Sequence, residues 1–143
     1  MVDQNCAYCM EGELVAKFGI KICELETSKV YLFKEQSHPG RLILAHDKHI
    51  SEMIELTDEL TAEERAAYFE DVARVARAIM KAFNPDKVNY GAYGDTGHHL
   101  HFHLCPKYKD EYEWGGVFLM NPDKKYLTDE EYAAMIEKIK ANL

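Results

Sequence analysis

His99-Leu100-His101-Phe102-His103-Leu104-Cys105 alternates imidazole and apolar side chains. Successive side chains of a β-strand point to opposite faces, with a period of two. As a strand, this segment sets His99, His101 and His103 on one face and offers Leu100, Phe102 and Leu104 to a core. As a helix it would scatter the imidazoles and expose the apolar partners, so a strand is predicted. Imidazoles two residues apart lie about 6.5–7 Å from one another along an extended chain. Three of them on one face share a proton demand near neutral pH. Binding or reaction there accounts for the pattern better than a solvated surface does.

Upstream, Gly94-Asp95-Thr96-Gly97 carries turn chemistry, and its glycines and amides allow close backbone approach to an anion. Before it, Lys87–Tyr93 reads as a second strand. Thr61-Ala62-Glu63-Glu64 is a capping box that opens a helix. Phe69, Val72, Ala76, Ile79 and Phe83 follow at steps of three and four, an apolar stripe over about four turns, and Asn84-Pro85 stops it. Nearer the N-terminus, strands are predicted at Leu14–Phe18, Ile20–Leu25, Val30–Phe33 and Leu42–Ala45. A turn is expected at Glu26-Thr27-Ser28-Lys29 and a loop at Ser37-His38-Pro39-Gly40. A second capping box, Thr128-Asp129-Glu130-Glu131, starts a C-terminal helix running to about Ala141. Consecutive strands, a long helix, two strands and a final helix predict an α+β fold with a mainly antiparallel sheet.

The 143 residues match one ordinary domain. A hydrophobic fraction of 47% with 29% charged residues fits a globular chain. No apolar run approaches the roughly 20 residues of a membrane span, and the first residues do not read as a secretory signal. A cytoplasmic location is therefore expected. The net charge of −8, from 25 acidic and 17 basic residues, argues against a nucleic-acid partner. Small anions remain admissible, since backbone amides and histidines hold them against an acidic background.

The histidine face admits two chemistries. His-x-His with a distant third histidine can make an open zinc site. Alternatively one imidazole attacks as a nucleophile while its neighbours orient it and handle protons. The middle residue, His101, is favoured for attack because it has a histidine on each side. Cys6-Ala7-Tyr8-Cys9 has the spacing of a zinc-gripping pair, and no second C-x₂-C exists to complete it. The missing ligands would be histidines, with His46, His49 and the triad as candidates; otherwise the pair is two free thiols. Cys23 and Cys105 sit in strand patterns and read as small buried hydrophobes.

Together these residues resemble the histidine-triad (HIT) superfamily, whose signature is His-φ-His-φ-His-φ-φ with φ apolar. Asn5-Cys6-Ala7-Tyr8-Cys9 is similar to the N-terminal Cys-x-x-Cys of bacterial zinc-containing members. Pro39-Gly40-Arg41-Leu42 through Lys48-His49-Ile50 is similar to the family's Pro-Gly, strand and Lys-x-His-Ile stretch. The resemblance covers about residues 5–116 of a single HIT domain spanning 1–143, with a C-terminal extension and helix over 117–143. It implies a HIT-like fold and a hydrolase or transferase acting on nucleoside 5′-phosphate derivatives: phosphoramidates, adenylates or dinucleoside polyphosphates. His101 would form a nucleotidyl-histidine intermediate, His103 would contact the α-phosphate and aid proton transfer, and His99 completes the catalytic triad. Thr96, Asp95 and Asn89 would lie on the phosphate side. Cys6, Cys9, His49 and His99 would hold a structural Zn²⁺, with no catalytic metal required. A purine nucleotide substrate and a homodimer are implied as well. The rival readings are a non-catalytic nucleotide sensor or interaction protein and a zinc-dependent hydrolase.

The chain departs from the family pattern in places. Asp95 stands where many members have Gln, and Ala45 replaces the usual Pro before Lys-x-His-Ile. The loop Gln36–Gly40 is two residues short, which bears on Glu35 as the ribose-binding acid. Cys105 replaces a larger apolar residue, and Trp114-Gly115-Gly116 is similar to a C-terminal segment that shapes specificity in relatives.

Overall fold

The structure is a computed structural model describing residues 2–143; Met1, first residue of the expected 1–143 unit, lies outside the described residues. Its centre is a five-stranded antiparallel sheet in the order β1-β2-β3-β5-β4. The strands are β1 Gly19–Glu24, β2 Ser28–Phe33, β3 Leu42–His46, β4 Lys87–Gly91 and β5 His101–Lys107. The helices are α1 Ala7–Met10, α2 Gly12–Ala16, α3 Glu55–Asp58, α4 Ala62–Phe83 and α5 Asp129–Lys140. The predicted α+β class is the observed one. No helix among the described residues is long and apolar enough to cross a membrane.

The period of two divides the sheet into two faces. Val30, Leu32, Leu42, Leu44 and Leu104 pack with Tyr68, Val75 and Ile79 of α4 and Ile139 of α5. Leu100 and Leu104 are buried in this core and Phe102 packs half-buried against it, as the alternation requires. On the opposite face Tyr31, Phe33, Ile43 and Ala45 gather with Tyr8 and Val15 from the two N-terminal helices. Because Ile43 pairs with His103 and Ala45 with His101, the imidazoles rise on this second face.

Both capping boxes form. Thr61 Oγ accepts from the Glu64 amide at 3.1 Å while Glu64 accepts from the Thr61 amide at 2.8 Å, and Thr128 and Glu131 repeat the arrangement. Helix α4 ends at Asn84, left-handed with φ +48°, just before Pro85. Of its predicted stripe, Ala76 and Ile79 are buried, Val72 and Phe83 pack against the core, and Phe69 alone faces out. Phe69 is 47% exposed, whereas Tyr68, Val75 and Ala78 are buried. Tyr68 takes the core position because its ring meets His46 and Phe102. The buried Asp71, invisible to a hydrophobic pattern, accepts from Thr27 and Ser28.

The predicted strand Leu14–Phe18 is instead α2 followed by a turn, in which the Phe18 amide bonds the Val15 carbonyl at 3.1 Å. A five-residue segment that is apolar but for Lys17 does not distinguish helix from strand by periodicity. Here only Val15 is buried against the sheet. Ser28 and Lys29, expected in a turn, begin β2, and His99 precedes β5 instead of opening it. Cys105 is buried as expected, while Cys23 is half-buried.

Candidate active site

The second sheet face floors a cavity of about 490 Å³. Tyr8 and Phe18 from the N-terminal segment, Phe33 and Ile43 from the sheet, and Met120 and Asn121 from the chain after β5 surround it. His101 and His103 line it together, as does the loop carrying Asp95 and Thr96. Gly97 brings that loop close to the histidine: a Cβ there would lie 3.9 Å from His101 Cε1. Both Asp95 and Thr96 are exposed at the rim. Asn89 pairs with Cys105 on the same sheet face but is not part of the cavity wall.

His101 is oriented by backbone. Its Nδ1–H donates to the His99 carbonyl at 2.6 Å, so its neutral ring keeps Nε2 bare. The sequence pattern had assigned this orienting task to flanking imidazoles. Burial, opposed by that hydrogen bond, lowers the His101 pKa from its ordinary value, so the ring is neutral at pH 7. The Tyr8 ring lies against it, centroids 4.9 Å apart.

His103 takes the opposite tautomer. Arg41 donates from Nη2 to His103 Nδ1 at 3.0 Å, which places the proton of the neutral imidazole on Nε2. Burial, with the charges of Arg41 and His101 adding to it, pushes the His103 pKa down to about 2. Two adjacent neutral imidazoles therefore differ in function: one offers a lone pair, the other an N–H. Arg41 was missed from sequence because a cation before an apolar strand reads as solvated.

Glu35 lines the cavity with its carboxylate buried. Oε1 accepts from Ser37 and from the Lys125 amide at 3.1 Å, while Oε2 has no partner. A buried carboxylate oxygen without a donor is costly, and this one belongs to a residue that borders the cavity.

The His99 ring turns away from the main cavity to join the N-terminal cysteines. Its Nδ1 is 3.4 Å from Cys6 Sγ, 3.6 Å from Cys9 Sγ and 3.2 Å from His49 Nδ1. Cys9 Sγ lies 3.2 Å from His49 Nδ1, and the four donor atoms fall within 4.8 Å of one another. An ion held tetrahedrally at about 2.0–2.3 Å sets its donors roughly 3.3–3.8 Å apart, so these residues could hold a metal ion. His99 Nε2–H donates to the His46 carbonyl at 2.6 Å, which bares Nδ1 toward the cluster. His46, the other candidate ligand, faces the Tyr68 ring, and its Nδ1 accepts from the Lys48 amide at 2.9 Å.

The HIT domain family model matches residues 20–110, more than half of the chain. The chain belongs to the HIT family. Among HIT relatives, it is 28% identical over 127 residues to "Protein hit" of Bacillus subtilis, spanning 84% of this chain and 83% of that one. It is 25% identical over 148 residues to "Adenosine 5'-monophosphoramidase hnt1" of Schizosaccharomyces pombe, spanning 97% and 98% of the two chains. The crystal structure of a histidine triad protein from Sinorhizobium meliloti superposes with a TM-score of 0.80 at 26% identity, covering 92% of this chain and 95% of that chain. The HIT-like fold expected from the triad is thus the fold of the molecule.

Proposed function

We propose that this HIT protein is a hydrolase or transferase of nucleoside 5′-phosphate derivatives that works through a nucleotidyl-histidine intermediate. The observation carrying the reading is the neutral His101 ring in the cavity wall, its proton held on Nδ1 by the His99 carbonyl. Family membership and the named phosphoramidase relative support the substrate class: phosphoramidates, adenylates or dinucleoside polyphosphates of a purine nucleoside.

In the first step the Nε2 lone pair of His101 attacks the α-phosphorus. An N–P bond forms, and the bond to the leaving group breaks with its electron pair on the departing atom, which takes a proton from solvent at the open rim. The imidazolium so formed keeps its Nδ1–H on the His99 carbonyl, which disperses the new positive charge. His103 donates Nε2–H to a phosphoryl oxygen and stabilises charge developing there. Water or another acceptor then attacks the phosphorus: a new bond to phosphorus forms, the N–P bond breaks with its electron pair returning to Nε2, and the acceptor's proton passes to solvent, which restores the neutral ring. The Thr96 hydroxyl and the loop amides offer further donors on the phosphate side, with Asp95 beside them. Asn89 is assigned a supporting place next to β5, and the bare Oε2 of Glu35 is assigned to a ribose hydroxyl. His99 serves through its carbonyl.

Cys6, Cys9, His49 and His99 are assigned a structural Zn²⁺. Two thiolates with two imidazoles are a donor set zinc favours, and four protein ligands make a closed site. Bound there, the ion would clamp the N-terminal segment to the turn after β3 and to His99 in the approach to β5. The proposal extends to one HIT domain over 1–143, a homodimer and a cytoplasmic location.

The test is incubation with a mass-tagged adenosine 5′-phosphoramidate followed by rapid quenching and intact-mass measurement. One nucleotidyl group on the peptide containing His101, acid-labile and base-stable, is expected. His101→Ala should lose both adduct and turnover while still binding nucleotide. Turnover undiminished in His101→Ala would remove the covalent mechanism.

A further inference from the structure

Arg41 is fully buried, yet its partners are two carbonyls, an imidazole and the Met120 sulfur, and not a carboxylate. It donates to Leu119 O at 2.9 Å, to Met120 O at 3.0 Å and to His103 Nδ1 at 3.0 Å. Its guanidinium lies between the Phe33 and Phe118 rings, 4.3 and 4.8 Å from their centroids. Burying a charge in this way is expensive, and anchoring two backbone carbonyls does not by itself require a third bond to an imidazole.

An arginine has donors only and does not lose its proton at any working pH. Whatever atom of His103 faces it must accept. We infer that Arg41 is a positioning residue that locks His103 in the Nε2–H tautomer and ties that choice to the chain segment walling the cavity. The other tautomer would aim a lone pair at the phosphoryl oxygen, turning an attraction into a repulsion. The same guanidinium grips the carbonyls of Leu119 and Met120, so the donor and the wall formed by Met120 and Asn121 are set by one side chain. Arg41 touches no reacting atom; it acts through His103. The inference rests on the proposed role of His103 as a donor to the phosphate.

The experiment reads the tautomer directly, from ¹⁵N chemical shifts of the His103 ring in wild type, Arg41→Lys and Arg41→Met. The ring signals are assigned by their loss in His103→Gln. In wild type, Nε2 protonated and Nδ1 bare is expected. Arg41→Met should give a tautomer mixture and a fall in kcat of about 10²-fold, the scale of a lost transition-state donor, with a much smaller change in KM. Arg41→Lys, which keeps a charged donor, should restore part of both. A wild-type ring protonated on Nδ1 overturns the inference, as does an Arg41→Met protein with unchanged tautomer and unchanged kcat. If Arg41→Met fails to fold, the wild-type spectrum decides alone. Failure of the functional reading shows separately, as turnover retained by His101→Ala, and leaves the tautomer assignment standing.

Discussion

Acidification tests the nucleophile assigned to His101. An ordinary imidazole with a pKa of about 6.5 is about 76% neutral at pH 7.0 and about 9% neutral at pH 5.5, a roughly eightfold loss of the attacking form. Burial lowers the His101 pKa. A lowered pKa moves protonation to more acidic pH, so the neutral ring persists where a solvated one is charged. His103, held near 2, stays neutral throughout this range. We therefore expect kcat/KM to fall by less than eightfold between pH 7.0 and 5.5, with the midpoint of its acid limb below 6.5; kcat/KM is the relevant quantity because it reports the free enzyme. The assay is hydrolysis of a fluorogenic adenosine 5′-phosphoramidate, with the uncatalysed rate subtracted at each pH. Metal affinity falls as protons compete for the ligand atoms, so metal content and circular dichroism are followed in parallel. With both unchanged, an acid limb centred at or above 6.5 would refute the assignment of a buried, carbonyl-oriented imidazole as the attacking group.

Other perturbations have equally definite consequences. Leu104, fully buried between the sheet and α4, should cost about 3 kcal/mol as Leu104→Ala and lower Tm by about 10 °C in calorimetry; a change under about 1 kcal/mol would contradict the packing. Cys9→Ser should lose bound zinc in metal analysis and lower Tm, because it removes one of the four converging donors; full zinc content in that variant would end the assignment. Glu35→Gln should raise KM for a ribonucleotide substrate by about tenfold or more with little change in kcat. A 2′,3′-dideoxy substrate should be insensitive to Glu35→Gln, and equal effects on the two substrates would dissociate Glu35 from the ribose.

Alternation of histidine with apolar residues was enough to specify a strand, because a helix that buries Leu100 and Leu104 turns Phe102 to the opposite side, and only a period of two puts all three on one face. Capping boxes at Thr61 and Thr128 likewise named the helix starts, since each is a local hydrogen-bond arrangement. The histidine triad and the Cys6–Cys9 pair were legible as residue types at characteristic spacing. Local pattern failed at Leu14–Phe18, where the short run is too brief to separate helix from strand and the chain forms α2, and at Phe69, where the neighbouring Tyr68 takes the buried position.

What tertiary structure alone decided is which nitrogen of each imidazole is bare. His99 presents Nδ1 to the cysteines because its Nε2–H bonds the carbonyl of His46, 53 residues away. His103 presents Nε2–H because Arg41, 62 residues away, occupies its other nitrogen. A ring's tautomer is set by whichever donor or acceptor the fold brings within about 3 Å. That distance is a property of the packed chain and not of any spacing along it.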